Sequence, residues 1–271
     1  MATFLHEFVN DIEQKWKEID ILIEAAANAN KNKNKNNDLY NALCRSITVL
    51  CVAHFEGFIK DCLKSLINDL NRNMRFCDLP SSIKRTYCKK YLGSNLKSED
   101  KQYDKRMDLL IRKFDEIDAK ISYEPFYSPT NKNPNSHILK TVLINIGIND
   151  IYSCLHESDF EIIFSSESKE IYEILKKLKQ KTLSGIGNFP YTFADDLYNL
   201  KEKKNKNIRT LWEEFIYVFN DKRHDVAHGN NFNNSLDIKD LETNKLKIMI
   251  IELCFIIVIC SFITKKSGSR K

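Results

Sequence analysis

Asn220-Asp221-Lys222-Arg223-His224-Asp225-Val226-Ala227-His228-Gly229 is the stretch on which the reading of this chain turns. Upstream of it Ile208, Leu211, Trp212, Phe215, Ile216 and Phe219 recur at helical spacing, so the chain reaches it as an amphipathic helix. Gly229 and the two asparagines that follow are helix-stop residues. Arg223 and His228 therefore fall on the last turn and its exit, anchored by a buried helix and reachable from solvent. A guanidinium is a planar cationic fork suited to phosphate oxygens, and an imidazole gives or takes a proton near neutral pH. Together they meet the needs of RNA cleavage without a metal. These are a base for the 2′-hydroxyl, an acid for the leaving 5′-oxygen, and a cation for the charge that builds on the phosphate. The plainer reading of the same residues is a charged helix end, with His228 capping the negative pole.

Working outward, the apolar periodicity predicts three further long helices. Leu5, Phe8, Val9, Ile12, Trp16, Ile19, Ile23 and Ala26 form one stripe of a helix over 3–29. The run Asn-Lys-Asn-Lys-Asn-Lys-Asn-Asn at 30–37 has nothing to bury and reads as a polar loop. A second helix over 38–71 is apolar nearly all round between Ile47 and Ile59, as a helix buried on more than one side must be. His54 and Glu56 interrupt that section. Buried polar groups are normally paired, so they read either as a satisfied structural pair or as groups that orient the Arg223/His228 site from behind. The last helix, over 237–264, is largely apolar from 248 to 263, with Glu252 inside that run. That run is shorter than the about 20 residues of a membrane span, and no second span is expected. It reads as a buried helix that also forms a dimer contact, with no membrane involved.

Between 74 and 190 the pattern loosens. Helices are expected over 82–92, 98–121, 136–146 (stopped by Gly147) and 168–183, with a proline-rich connector over 123–135 and a turn at 184–188. The outer face of the 168–183 helix carries Lys169, Lys176, Lys177, Lys179 and Lys181, a solvated ridge or an RNA-facing one; Lys222 is a further RNA-binding candidate. The segment over 192–229 reads as a long third helix, either continuous or broken near 201–207. The whole is an all-α, up-and-down four-helix bundle formed by one domain over 1–271, with a helical insertion (74–190) between helices two and three.

Seven glycines and five prolines in 271 residues favour long helices over a turn-rich β fold. A net charge of +5 is compatible with a polyanionic partner without requiring one. Eight cysteines at 44, 51, 62, 77, 88, 154, 254 and 260 include no C-x-x-C and no zinc-ligand spacing with histidine. Several sit on apolar helix faces, which suggests free thiols in a reducing compartment. The first residues hold neither a basic region nor an apolar signal core. A cytoplasmic protein without metal or other cofactor is expected.

Arg223-His224-Asp225-Val226-Ala227-His228-Gly229 resembles the signature of HEPN domains, in which Arg is followed by a polar residue, a short gap and His. The stretch from Ala42-Leu43 through Val52-Ala53-His54-Phe55-Glu56-Gly57-Phe58-Ile59-Lys60-Asp61 is similar to the second helix of the RiboL-PSP-like HEPN branch. Asn133-Pro134-Asn135-Ser136-His137-Ile138-Leu139-Lys140, continuing to Ile146-Gly147-Ile148, resembles the segment those proteins carry before the catalytic helix. A longer middle region and the Lys/Asn-rich run are departures. The resemblance implies an endoribonuclease with Arg223, His228 and His224 as catalytic residues: His228 as base or acid, Arg223 over the phosphate, His224 positioning or relaying a proton. Arg223 and His228 are five apart, about 140° around an ideal helix. The resemblance implies that a homodimer resolves this by setting two motifs side by side. It also implies likeness to toxins and abortive-infection effectors that cut RNA and are restrained by a partner or antitoxin protein. The alternative is a HEPN-like module that binds a nucleotide, RNA or protein without cutting.

Overall fold

The computed structural model of the chain describes residues 1–31, 37–92, 101–127, 136–194, 197–200, 209–227 and 236–268. Among these residues there is no strand, and the helices are α1 (Phe4–Lys31), α2 (Asn37–Asn73), α3 (Ser81–Lys89), α4 (Lys101–Glu116), α5 (Ser136–Ile146), α6 (Ile151–Leu155), α7 (Ser168–Ile186), α8 (Leu211–Ala227) and α9 (Ile238–Gly268). The all-helical fold expected from the periodicity is the fold observed. Of the Asn/Lys run expected as a loop, Asn30 and Lys31 end α1 and Asn37 begins α2, while 32–36 lie outside the described residues.

The stripe read on α1 is buried from Leu5 to Ala26. It packs lengthwise on α2 in the antiparallel sense, with Lys15 paired to Asp61 and Glu18 to His54. The open end of α1 is closed by Asp69 of α2. Its buried carboxylate accepts the N–H groups of Phe4 (2.8 Å) and Leu5 (3.0 Å) and the Tyr191 hydroxyl (2.9 Å). That satisfies donors a helix start otherwise leaves unpaired and ties the segment after α7 to the bundle. Burial nevertheless pushes the Asp69 carboxyl above its ordinary range.

α9 forms the centre, with α7, α2 and α1 against it. Every residue from 248 to 260 is buried, and each fully buried Ile, Leu or Phe there contributes roughly 1.5–3 kcal/mol. The buried-helix reading of this stretch is thus the one observed, and it is covered within a single chain. The expectation of no second span is corrected: by length and hydropathy both Asp38–Asn73 and Ile238–Thr264 qualify, as core helices can.

Two boundaries differ from the sequence reading. Of the third helix expected over 192–229, α8 is the helical part among the described residues: 192–194 are non-helical, and a short 3-10 turn spans Leu197–Asn199. Thr210 caps α8, its hydroxyl accepting the Glu213 N–H at 3.1 Å. The sequence Thr210-Leu211-Trp212-Glu213 is a capping-box pattern that marks this start. The second difference concerns α7. It was assigned to the insertion, yet it lies along α9 and α1 as a member of the bundle. It continues through Gly185 in place of the expected turn there. A Cβ at Gly185 would come within 2.3 Å of the Phe193 ring, so only glycine lets the chain fold back onto the helix. Gly147 ends α5 as expected, at φ +107.

Candidate active site

α8 reaches the site along one buried stripe. Trp212, Ile216 and Phe219 are 0%, 2% and 4% exposed. Their spacings of four and three, followed by four more to Arg223, keep all four residues within about 60° around the helix axis. Arg223 thus continues the stripe that faces the core, toward α2, α5 and α6, the elements on which α8 packs. Trp212 meets Phe164 edge-on (4.9 Å), and Phe215 stacks on Phe219 (6.0 Å, 18°). These contacts hold the helix rigid up to its last turn. At its start, Lys140 of α5 binds Glu213 at 2.8 Å and lies over the Tyr152 ring.

The consequence at Arg223 is a cation placed on the wrong side of a helix for solvation. Its Nε is buried and has no hydrogen-bond partner among the described residues. Three residues earlier, Asn220 turns its amide nitrogen back to the Ile216 carbonyl (2.9 Å) and leaves its own oxygen buried and unmatched. A guanidinium cannot shed its charge in a protein, so this is a standing positive site with an incomplete set of acceptors. His224, the next residue, is exposed, and Lys222 is half-buried. α8 runs through Ala227, so His228 follows it directly and lies outside the described residues, as does Gly229.

The remaining candidates are dispersed. His54 stacks on Trp16 (5.5 Å) and its Nε2 lies 3.3 Å from Glu18. Glu56 accepts the Tyr127 hydroxyl at 3.3 Å. Each is satisfied on another element, and among the described residues neither hydrogen-bonds Arg223, which favours the structural reading. Lys176 and Lys177 are exposed on α7, whose packing partners are α9 and α1, so they are not brought to α8. Among the described residues no cluster of His, Cys, Asp or Glu has the geometry of a metal site.

One residue next to the site escaped the sequence reading. Lys247, immediately before the buried run of α9, holds its ammonium 5.0 Å from the Phe164 ring centre and 5.8 Å from that of Phe215. Nothing in the local pattern distinguishes it from the other lysines. Its setting is made by two rings remote in sequence.

An all-α bundle with an arginine at the end of a core-anchored helix, followed by the Ala-His-Gly sequence, defines a HEPN superfamily protein. The RiboL-PSP-HEPN family model matches residues 10–260, and the chain belongs to that family. Family membership points to a ribonuclease-type or related function. No curated protein and no solved structure matches the chain.

Proposed function

We propose that the protein is a metal-independent endoribonuclease of the toxin or abortive-infection type, acting as a cytoplasmic homodimer under the restraint of a partner protein. The observation that carries this reading is the buried Arg223 Nε, which has no hydrogen-bond partner among the described residues, at the end of a core-anchored helix. An Nε–H that the described fold leaves without an acceptor is a donor that a transferring phosphate can satisfy. Arg223 neutralises the phosphate, His228 moves the proton at the 2′-hydroxyl or the 5′-oxygen, and exposed His224 assists. The nucleophile is the 2′-hydroxyl, so the substrate is RNA and not DNA.

The test is cleavage of RNA by the purified protein in EDTA. The expected products carry 2′,3′-cyclic phosphate and 5′-hydroxyl ends, and His228→Ala should abolish them. Arg223→Lys should be severely impaired, because an ammonium keeps the charge and loses the planar fork. Cleavage that needs added divalent metal, leaves 5′-phosphate ends or persists in His228→Ala would overturn the mechanism. Tight RNA binding without any cleavage would move the weight to the binding-module reading.

A further inference from the structure

Four of the lysines that this fold partly or wholly buries are matched with acids; half-buried Lys222 is not among them. Lys84 lies near Asp115 (3.7 Å), Lys140 binds Glu213 (2.8 Å), Lys179 binds Glu13 (2.9 Å) and Lys245 binds Asp20. Lys247 breaks the pattern. It is half-buried and has no carboxylate within ion-pair distance among the described residues; the faces of Phe164 and Phe215 are its neighbours. Asp240 acts on it only from two turns back along α9, and burial pulls its pKa below the ordinary lysine value. Ring faces attract a cation, by about 0.5–2 kcal/mol, but they do not neutralise it. The side chain is therefore held in a fixed place with its charge uncompensated.

That place is defined relative to Arg223. Phe215 stacks on Phe219, and Arg223 is one turn beyond Phe219 on the same helix. The step from Phe215 to Arg223 is eight residues, about 12 Å along the axis, a span of a few nucleotides of extended strand. Two uncompensated cations thus flank α8, Arg223 at its end and Lys247 from α9 across its middle. Cationic points spaced a few nucleotides apart are how proteins track a single strand by its phosphates.

We propose that Lys247 is a phosphate-binding residue for the RNA strand that enters the Arg223 site. The assignment rests on the nuclease reading above and extends it to a substrate contact contributed by a second helix. A single-strand phosphate contact adds about 0.7 to the slope of log affinity against log salt. Over the decade from roughly 0.1 to 1 M salt that slope is a factor of about five.

The experiment measures binding of a uniformly 2′-O-methylated single-stranded RNA, which cannot be cut through its 2′-oxygen, to the full chain across that salt range. Lys247→Met keeps the apolar stem over Phe164 and Phe215 and removes the charge. It should weaken binding about fivefold at the low-salt end and lower the slope by about 0.7. Lys247→Arg should retain most of both, and Lys17→Met, the same charge loss on exposed α1, should change neither. Because the fold makes no ion pair with this ammonium, the melting temperature of Lys247→Met should equal or exceed that of the wild type. If Lys247→Met cannot be obtained folded, Lys247→Gln is measured in its place. An unchanged slope in a variant whose parent cleaves RNA overturns the assignment and leaves the nuclease reading standing. A large fall in melting temperature with unchanged RNA affinity identifies a structural cation and also overturns it. A wild type that neither binds nor cuts RNA removes both.

Discussion

Helices α8 and α9 each carry an ionisable side chain with a buried atom that has no partner among the described residues, and they deal with it in opposite ways. α9 is surrounded by protein, and its Glu252 is 1% exposed. One carboxyl oxygen accepts the Trp16 indole N–H at 3.1 Å and the other has no partner. Burial raises the Glu252 pKa to about 8, so near neutral pH the group escapes its predicament by holding a proton. α8 is buried along one stripe only, with Leu211, Tyr217 and Val218 turned outward. Its Arg223 has the same kind of unmatched atom and no such escape, because guanidinium stays charged. The same local defect is a stability feature in an acid and a standing demand for an anion in an arginine.

The sharpest way to break this comparison is to truncate one side chain on each helix. Arg223→Ala should lower RNA cleavage by roughly 10²–10⁴-fold while leaving the melting temperature near that of the wild type. Phe255→Ala, at a fully buried position of α9 packed on Phe58, should cost about 3–5 kcal/mol in urea unfolding. If Arg223→Ala is destabilised as much as Phe255→Ala, Arg223 is a structural cation and the contrast fails.

A second, smaller effect concerns Glu252 alone. The folded chain holds this proton more tightly than the unfolded chain, whose carboxyl titrates at its ordinary 4.5. Between about pH 5 and about 8 the folded state therefore carries more protons, and stability falls as pH rises through that window. Glu252→Gln removes this component, so its stability relative to the wild type should grow from pH 5 to pH 8, by on the order of a few kcal/mol at most. A difference that stays constant with pH would show that Glu252 does not titrate there.

The smallest effect is expected on α7. Lys176→Gln combined with Lys177→Gln alters two exposed side chains remote from α8, and stability should stay within about 0.5 kcal/mol of the wild type. Its loss of RNA affinity should be smaller than that of Lys247→Met. The reverse order would place the strand on α7 and would require the path between Arg223 and Lys247 to be redrawn.

What the sequence by itself determined is whatever depends on local periodicity and punctuation. The stripes of α1, α2 and α9, the stop at Gly147 and the arrival of a helix at Arg223 follow from neighbours within a few turns. The capping box at Thr210 was equally legible and marks the true start of α8, which a continuous reading of 192–229 passed over. Tertiary structure alone decided three things. α7 joined the bundle because α9 offered it a long apolar face, and periodicity cannot say which face meets which. His54 and Glu56 were drawn to Glu18 and Tyr127, partners 36 and 71 positions away. Lys247 came to lie over the rings of Phe164 and Phe215 with no carboxylate at ion-pair distance among the described residues, and the Arg223 Nε was left without a partner there. Whether a charge is compensated depends on elements distant in sequence, and that is decided only when the helices close around it.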